Sequence, residues 1–120
     1  MEYNDDYINE ISMKMILYAG DGRLKLSKAL ECVEKFEFSK AQEQIILAED
    51  DIKQAHIHQT KILQSQAQGV SYEYSMLFAH AQDTVMTTNT EFNLVSSIVK
   101  ISKSLFEYCN SRFETSNSHE

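Results

Sequence analysis

The chain has 120 residues, 42% of them apolar, a length that fits one domain with a modest hydrophobic core. The formal net charge of −7 argues against nucleic-acid binding, which requires clustered Lys and Arg, and against binding to an anionic membrane surface. Because the chain has no proline and only three glycines, its composition predicts long helices with few turns.

The lack of a recognisable targeting signal and the pattern of the cysteines favour a cytoplasmic protein. The first ten residues, MEYNDDYINE, are too acidic and polar for a signal peptide, and no apolar run is long enough to span a bilayer. Cys32 and Cys109 form no CxxC motif, which favours free thiols in a reducing compartment. A disulfide between them would require parallel first and third helices. We therefore expect a cytoplasmic protein without membrane insertion.

The first predicted helix covers residues 6–35, and Asp5 or Asp6 can cap its start. Apolar or small residues recur in it at close to the 3.6-residue period of a helix. They are Ile8, Ile11, Met15, Tyr18, Gly22, Ala29, Leu30 and Val33. Gly20 and Gly22 form a GxG, but no strand precedes it, so close helix packing or local flexibility is favoured over a dinucleotide loop.

The second predicted helix covers residues 39–68, after a short connection at residues 34–37. The positions of its seam alternate spacings of three and four residues, which is a heptad pattern. They are Phe38, Ala41, Ile45, Ala48, Ile52, Ala55, Gln59, Ile62 and Gln66. Gly69 is a natural stop for this helix.

The third predicted helix starts between Ser71 and Ser75, either of which can cap it, and reaches about Tyr108. Two neighbouring stripes run along it. The first stripe is Tyr74, Phe78, Ala81, Val85, Thr88, Phe92, Val95, Val99, Ser102 and Phe106. The second stripe is Met76, His80, Asp83, Thr87, Thr90, Leu94, Ile98, Ile101 and Leu105. We assign residues 1–109 to one domain and predict that the polar segment 110–120 is frayed or disordered.

Three helices with short connections predict an all-α fold, an antiparallel three-helix bundle with up-down-up topology. A third helix with two apolar stripes has more surface to bury than two neighbours can cover. The sequence therefore predicts self-association through this helix, in a ring of three or four chains.

His80 and Asp83 interrupt the second stripe with a titratable pair. They are three residues apart, so they lie on one helix face with Cβ atoms roughly 5–6 Å apart. His80 is either an interfacial residue held by a hydrogen bond or a nucleophile or proton carrier. Asp83 is either a solvated acid or lies on a symmetry axis, where crowded carboxylates take up protons or bind a cation such as Mg²⁺.

Metal-pair motifs are missing from the sequence. His56 and His58 are two residues apart and point to different sides of a helix. No Glu-x-x-His pair occurs, which removes the interpretation as a di-iron bundle.

Three segments carry a resemblance to a known family. Residues 18–26 read YAGDGRLKL, residues 55–60 read AHIHQT, and residues 78–83 read FAHAQD, followed by MTT at 86–88. In this order, the sequence resembles the A component (enzyme IIA) of lactose/cellobiose-type sugar phosphotransferase systems over about residues 7–108.

This resemblance implies a homotrimer that carries phosphoryl groups during disaccharide uptake. His80 would be phosphorylated by the histidine-containing phosphocarrier protein and would pass the group to a cysteine of the B component. Asp83 falls at the family's metal-binding aspartate, which implies one Mg²⁺ per trimer, and Gln82 falls at a supporting position. Family members often carry a histidine directly after this aspartate, whereas this chain has Thr84, which offers only a hydroxyl.

Two other functions stay open at the level of sequence. One is a structural or adaptor helical bundle in which His80 is only a packing residue. The other is a histidine-phosphotransfer domain of signalling relays. Such domains usually place a lysine three residues after the histidine, where this chain has Asp83.

Overall fold

A computed structural model describes the backbone of residues 5–118 and the side chains of residues 5–114. It contains three α-helices, α1 (Asp5–Glu34), α2 (Phe38–Ala67) and α3 (Met76–Ser118), and no strand in that part of the chain. The predicted all-α class and the number of helices are confirmed. Both candidate caps of α1 lie inside its first turn, where their charge suits the positive helix end, and the residue before them is outside the described part.

The turn between α1 and α2 is closed by a Schellman motif. The N–H of Phe36 donates to the carbonyl of Val33 at 3.0 Å, and that of Glu37 donates to the carbonyl of Cys32 at 2.9 Å. Phe36 has a φ of 60°, a left-handed conformation that costs a non-glycine residue roughly 1–2 kcal/mol. Its ring stacks on Phe106 of α3 at 5.2 Å between centroids, and this contact offsets the strain.

The end of α2 and the start of α3 follow the predicted signals. Gly69 has a φ of 99°, and its N–H donates to the carbonyl of Gln66 at 3.0 Å. The Oγ of Ser75 accepts a hydrogen bond from the N–H of Phe78 at 3.0 Å, which is a typical N-cap interaction. Both the glycine stop and the Ser75 cap are therefore confirmed.

The core consists of two clusters along the bundle axis. The first contains Ile8, Ile11, Met15, Ala19, Ala55, Ile62, Phe78, Ala81 and Val85. The second contains Leu26, Ala29, Ala41, Ile45, Ala48, Val95 and Val99. Early α1 thus meets late α2 and early α3, so α2 is antiparallel to its neighbours, as predicted, and α1 is parallel to α3.

Ion pairs join α1 to both neighbours. The guanidinium of Arg23 donates to both carboxylate oxygens of Glu91 on α3, at 2.8 and 2.9 Å. Lys25 pairs with the nearly buried Asp51 on α2. Because a bidentate Arg–carboxylate pair has a fixed geometry, these contacts help to set the register of the three helices.

Gly22 is the glycine at which α1 packs closely on α2. A Cβ atom at this position would lie 3.3 Å from Cγ1 of Ile52, whereas one at Gly20 would meet nothing within 4 Å. Close packing therefore explains the second glycine of the GxG.

The end of α3 differs from the prediction. The helix continues to Ser118 instead of ending near Tyr108. The frayed or disordered state of residues 110–120 stays a prediction. No glycine or proline follows Gly69, and the polar residues here are compatible with a helix. Tyr74 was predicted in the first stripe but precedes α3 and is 83% exposed.

The buried face of α2 also departs from the heptad pattern near its end. His58 is buried, whereas Gln59 is half-buried and Gln66 is exposed. His58 lies three residues after the buried Ala55 and four residues before the buried Ile62, so it continues the helical spacing of the buried face one residue before the heptad position.

Both cysteines are free: Cys32 is half-buried and Cys109 is exposed. None of the described helices is long and apolar enough to cross a membrane.

Candidate functional site

The second stripe of α3 is exposed along its whole length. Its polar members are exposed in the first half, and in the second half Leu94 is 60%, Ile98 43% and Leu105 59% exposed. The stripe does not lie beside the first stripe but nearly opposite it. The reason is that most of its members follow a first-stripe residue by two positions, which is about 200° around a helix.

His80 lies in the second turn of α3, and its ring is exposed. Within the described residues its ring makes no hydrogen bond or ion pair. Helical side chains lean toward the N-terminus, so a group on this ring is directed to the positive end of α3. The first turn of α3 carries no acidic residue that would oppose an anion there.

Asp83 lies one turn further along the same face and is exposed. In the described part of the chain it has neither an ion pair nor a hydrogen bond. No group of three His, Cys, Asp or Glu side chains that could hold a metal occurs among the described residues. One chain therefore supplies one free carboxylate, and a hard cation that prefers several oxygen ligands would need further copies or water.

Gln82 is not brought together with His80 in one chain. It is half-buried and lies two residues further along α3, about 200° around the helix axis. Its amide therefore faces away from the imidazole of its own chain.

Hydroxyl groups near His80 are mostly engaged with the backbone. The Oγ1 of Thr84 donates to the carbonyl of His80 at 2.8 Å, and the Oγ1 of Thr88 donates to the carbonyl of Thr84 at 2.7 Å. A hydroxyl has one hydrogen, so Thr84 in this rotamer donates no bond to a group on His80. Thr87 is exposed and is free of hydrogen bonds to other described residues.

His58 is a buried titratable group that the sequence did not single out. Its ring stacks on Tyr18, with 5.5 Å between centroids, and its Nδ1 has no hydrogen-bond partner. Burial, followed by the charges of Lys61 and Lys14, lowers the pKa of His58 below its ordinary value. It lines a surface cavity of about 430 Å³ between α1 and α2. The spacing of His58 from Ala55 and Ile62, three and four residues, was the signal that could have found it.

With the fold and the site described, the chain can be placed among known proteins. It is a component of the bacterial sugar phosphotransferase systems. It belongs to the family described as "PTS system, Lactose/Cellobiose specific IIA subunit", whose profile matches residues 10–103.

Relatives of known type support this assignment. The lactose-specific EIIA component of Staphylococcus epidermidis is 34% identical over 100 residues, which cover 83% of this chain and 96% of that protein. The lichenan-specific enzyme IIA component of Bacillus subtilis is 25% identical over 103 residues, covering 86% of this chain and 94% of that one.

Two crystal structures share the fold. PtcA from S. mutans superposes with a TM-score of 0.81 at 26% identity and covers 83% of this chain and 98% of that chain. The cellobiose-specific enzyme IIA from Bacillus anthracis has a TM-score of 0.78 at 32% identity, with 82% and 90% covered. Each of these relatives aligns over nearly its whole length, and the alignments cover about five sixths of this chain.

Proposed function

We propose that this protein is a phosphocarrier that accepts a phosphoryl group on His80 from the histidine-containing phosphocarrier protein. It then passes the group to a cysteine of the B component during disaccharide uptake. The observation that carries this proposal is the exposed imidazole of His80, which is unpaired among the described residues of a packed helical bundle. Relatives named for lactose, cellobiose and lichenan support the uptake process.

The chemistry needs little covalent help from the protein. An unprotonated ring nitrogen of His80 attacks the phosphorus of the donor's phosphohistidine, and the donor's P–N bond breaks as its ring keeps the electron pair. In the second transfer a thiolate of the B component attacks, and the P–N bond on His80 breaks. Such transfers depend mainly on positioning and electrostatic stabilisation, so an exposed nucleophile that both partners reach is suited to them.

The start of α3 would stabilise the phosphorylated state. A phosphoryl group carries close to two negative charges and would lie near the positive end of the helix, a contribution of about 0.3–1 kcal/mol. Thr84, where relatives often carry histidine, uses its hydroxyl hydrogen on the backbone. Donors to the phosphoryl oxygens would therefore come from other groups, such as Gln82 of a neighbouring chain.

Self-association is part of the proposal. We expect a homotrimer in which the second stripes of three α3 helices face each other. Three copies of Asp83 would meet at the axis, where one Mg²⁺ with water ligands would neutralise their repulsion. The ion would then serve assembly, while His80 at the edge of the stripe stays accessible to partners. The predicted cytoplasmic location remains a prediction.

The test is phosphorylation from phosphoenolpyruvate with the two general phosphotransferase proteins, followed by intact-mass measurement. We expect an acid-labile gain of one phosphoryl group, absent in His80→Gln and retained in His56→Gln. His56 is the matched control, because it is another exposed histidine. No gain in the wild-type chain would favour the structural or adaptor bundle, and a gain retained in His80→Gln would move the site elsewhere.

A further inference from the structure

Between α1 and α2 lies a cavity of about 430 Å³ that the proposed function does not use. It is lined on α1 by Lys14, Leu17, Tyr18 and Asp21, and on α2 by His58. Its volume falls in the range of roughly 300–1,000 Å³ in which proteins hold small ligands. No residue of α3 lines it, so the self-association proposed for that helix leaves the cavity open to solvent.

The imidazole of His58 is the group in this cavity that lacks a partner. His58 is 8% exposed, and its Nδ1 has no hydrogen-bond partner. Its Nε2 is likewise not hydrogen-bonded to another described residue. Because a buried polar group without a partner is unfavourable, a ligand that hydrogen-bonds the ring would stabilise this arrangement.

The charges around the cavity are divided between its two ends. Lys14 on α1 and Lys61, one turn after His58 on α2, lie close enough that their charges lower the pKa of His58, after the larger effect of burial. Asp21 lies two turns after Lys14 on α1, and it has no ion pair among the described residues. The cavity therefore has a positive end beside the imidazole and a free carboxylate about 10 Å further along α1.

This division of charge favours a ligand with two different ends. A phosphate group would be attracted to the two ammonium groups and would accept a hydrogen bond from the ring of His58. The carboxylate of Asp21 would repel a second anion, but it accepts hydrogen bonds from hydroxyl groups. Between the two ends, Leu17 offers apolar surface to C–H groups. A phosphate at one end and hydroxyl groups at the other are the features of a sugar phosphate.

We propose that this cavity binds a small sugar phosphate whose phosphate group lies between Lys14, Lys61 and His58. Its hydroxyl groups would then face Asp21. Lys14 pairs with Glu10 at 3.2 Å, but both side chains are largely exposed, and such pairs contribute only about 0–1 kcal/mol, so a ligand can displace this contact. The site goes beyond the proposed carrier function and does not depend on it.

Calorimetric titration of the full chain with glucose 6-phosphate tests the site. We expect saturable binding at one site per chain, and binding at least several-fold weaker in Lys61→Gln. Lys53→Gln is the matched control, because Lys53 is another exposed lysine of α2 and lines the groove between α2 and α3 instead. No binding up to millimolar concentrations, or equal weakening in the two variants, would overturn the proposal.

Two simpler ligands show which parts of the compound are recognised. Inorganic phosphate should bind several-fold more weakly than glucose 6-phosphate, because it lacks the hydroxyl groups that would face Asp21. Glucose should bind more weakly still, because it lacks the charge that attracts the two lysines. An affinity for inorganic phosphate or for glucose equal to that for glucose 6-phosphate would overturn the assignment to sugar phosphates.

The ring resonances of His58 report whether the phosphate group lies beside it. A bound anion favours the charged imidazole, so saturating glucose 6-phosphate should raise the pKa of His58 from its lowered value, as followed by NMR over a pH series. The titration of the exposed His56 should not respond to the ligand. A pKa of His58 that is the same with and without bound ligand would place the phosphate group elsewhere and contradict the proposed site.

Phosphorylation of the same variants separates this inference from the proposed function. Lys61→Gln should accept a phosphoryl group as the wild type does, because the cavity lies between α1 and α2 and His80 lies on the outer side of α3. Binding of glucose 6-phosphate without phosphorylation would contradict the carrier function alone. Phosphorylation without such binding would contradict the sugar phosphate site alone.

Discussion

The outer side of α3 is polar in its first half and apolar in its second half, although the inner side is mainly apolar in both halves. His80, Asp83 and Thr87 occupy the first half of this outer side, and Ile98 and Leu105 occupy the second. The inner side of the same helix contributes to both core clusters.

This contrast separates two requirements of the proposed carrier function. An exposed polar face is hydrated in the single chain and stays reachable for other proteins. An exposed apolar stripe of this length is unfavourable in water and is typical of an interaction surface. In the proposed function, the inner side of α3 would hold the fold together, the apolar outer half would serve association, and the polar outer half would carry the chemistry.

The largest expected effect comes from making the apolar half polar. Ile98→Asp would place a charge in the proposed interface and raise the dissociation constant of the oligomer by roughly a hundredfold, about 3 kcal/mol. Light scattering over a dilution series measures it. Asn93→Asp is the control, because it adds the same charge away from the stripe, and an equal effect of both would contradict the interface.

The converse change makes the polar half of the outer side of α3 more apolar. We expect Asp83→Leu to keep the oligomer through apolar packing but to lose its response to Mg²⁺. For the wild type, Mg²⁺ at 100 times its dissociation constant should add about 2.7 kcal/mol of stability, seen in thermal unfolding. Stabilisation by Mg²⁺ of similar size in the variant would show that Asp83 does not hold the ion.

The two glycines of α1 allow the same comparison on another helix, because Gly22 packs against α2 and Gly20 faces outward. Gly22→Val should destabilise the bundle by roughly 1–3 kcal/mol, because its side chain meets Ile52. Gly20→Ala should stabilise it by up to about 1 kcal/mol, because the added methyl meets nothing and favours the helix. Chemical denaturation measures both, and equal effects would refute the close approach at Gly22.

The smallest expected effect is a pH dependence of the free energy of unfolding that comes from His58. His58 has a lowered pKa in the folded chain, so below its ordinary value of 6.5 the unfolded chain binds the proton more readily. The free energy of unfolding should therefore be fully retained above pH 6.5 and decrease as the pH falls below it. His58→Gln should reduce this decrease, measured by denaturation at several pH values, while His56→Gln should not.

Much of the fold was predictable from local signals. Ser75 and Gly69 act through the backbone next to them, and the periodic apolar residues determine the inner sides of the helices. The end of α3 was not predictable from polarity, because a helix without glycine or proline has no residue that stops it. Burial of His58 in place of Gln59 follows from its spacing of three residues from Ala55 and four from Ile62, which a strict heptad count leaves out.

The site was predictable in part, because His80 and Asp83 share a face whenever the segment is helical. Gln82 shows the limit of that reasoning, since its position in a family motif says nothing about which side of α3 it faces. Thr84 shows another limit, because only coordinates reveal that its hydroxyl is bonded to the carbonyl of His80.

The left-handed turn at Phe36 has a consequence for the order in which a newly made chain matures. Its ring finds its stacking partner, Phe106, only after the third helix has been synthesised. Until then the turn between α1 and α2 keeps Phe36 in its left-handed conformation without that contact. We therefore expect the hairpin to be held at first by its backbone hydrogen bonds, and its bend to gain the stacking contact when the last helix arrives.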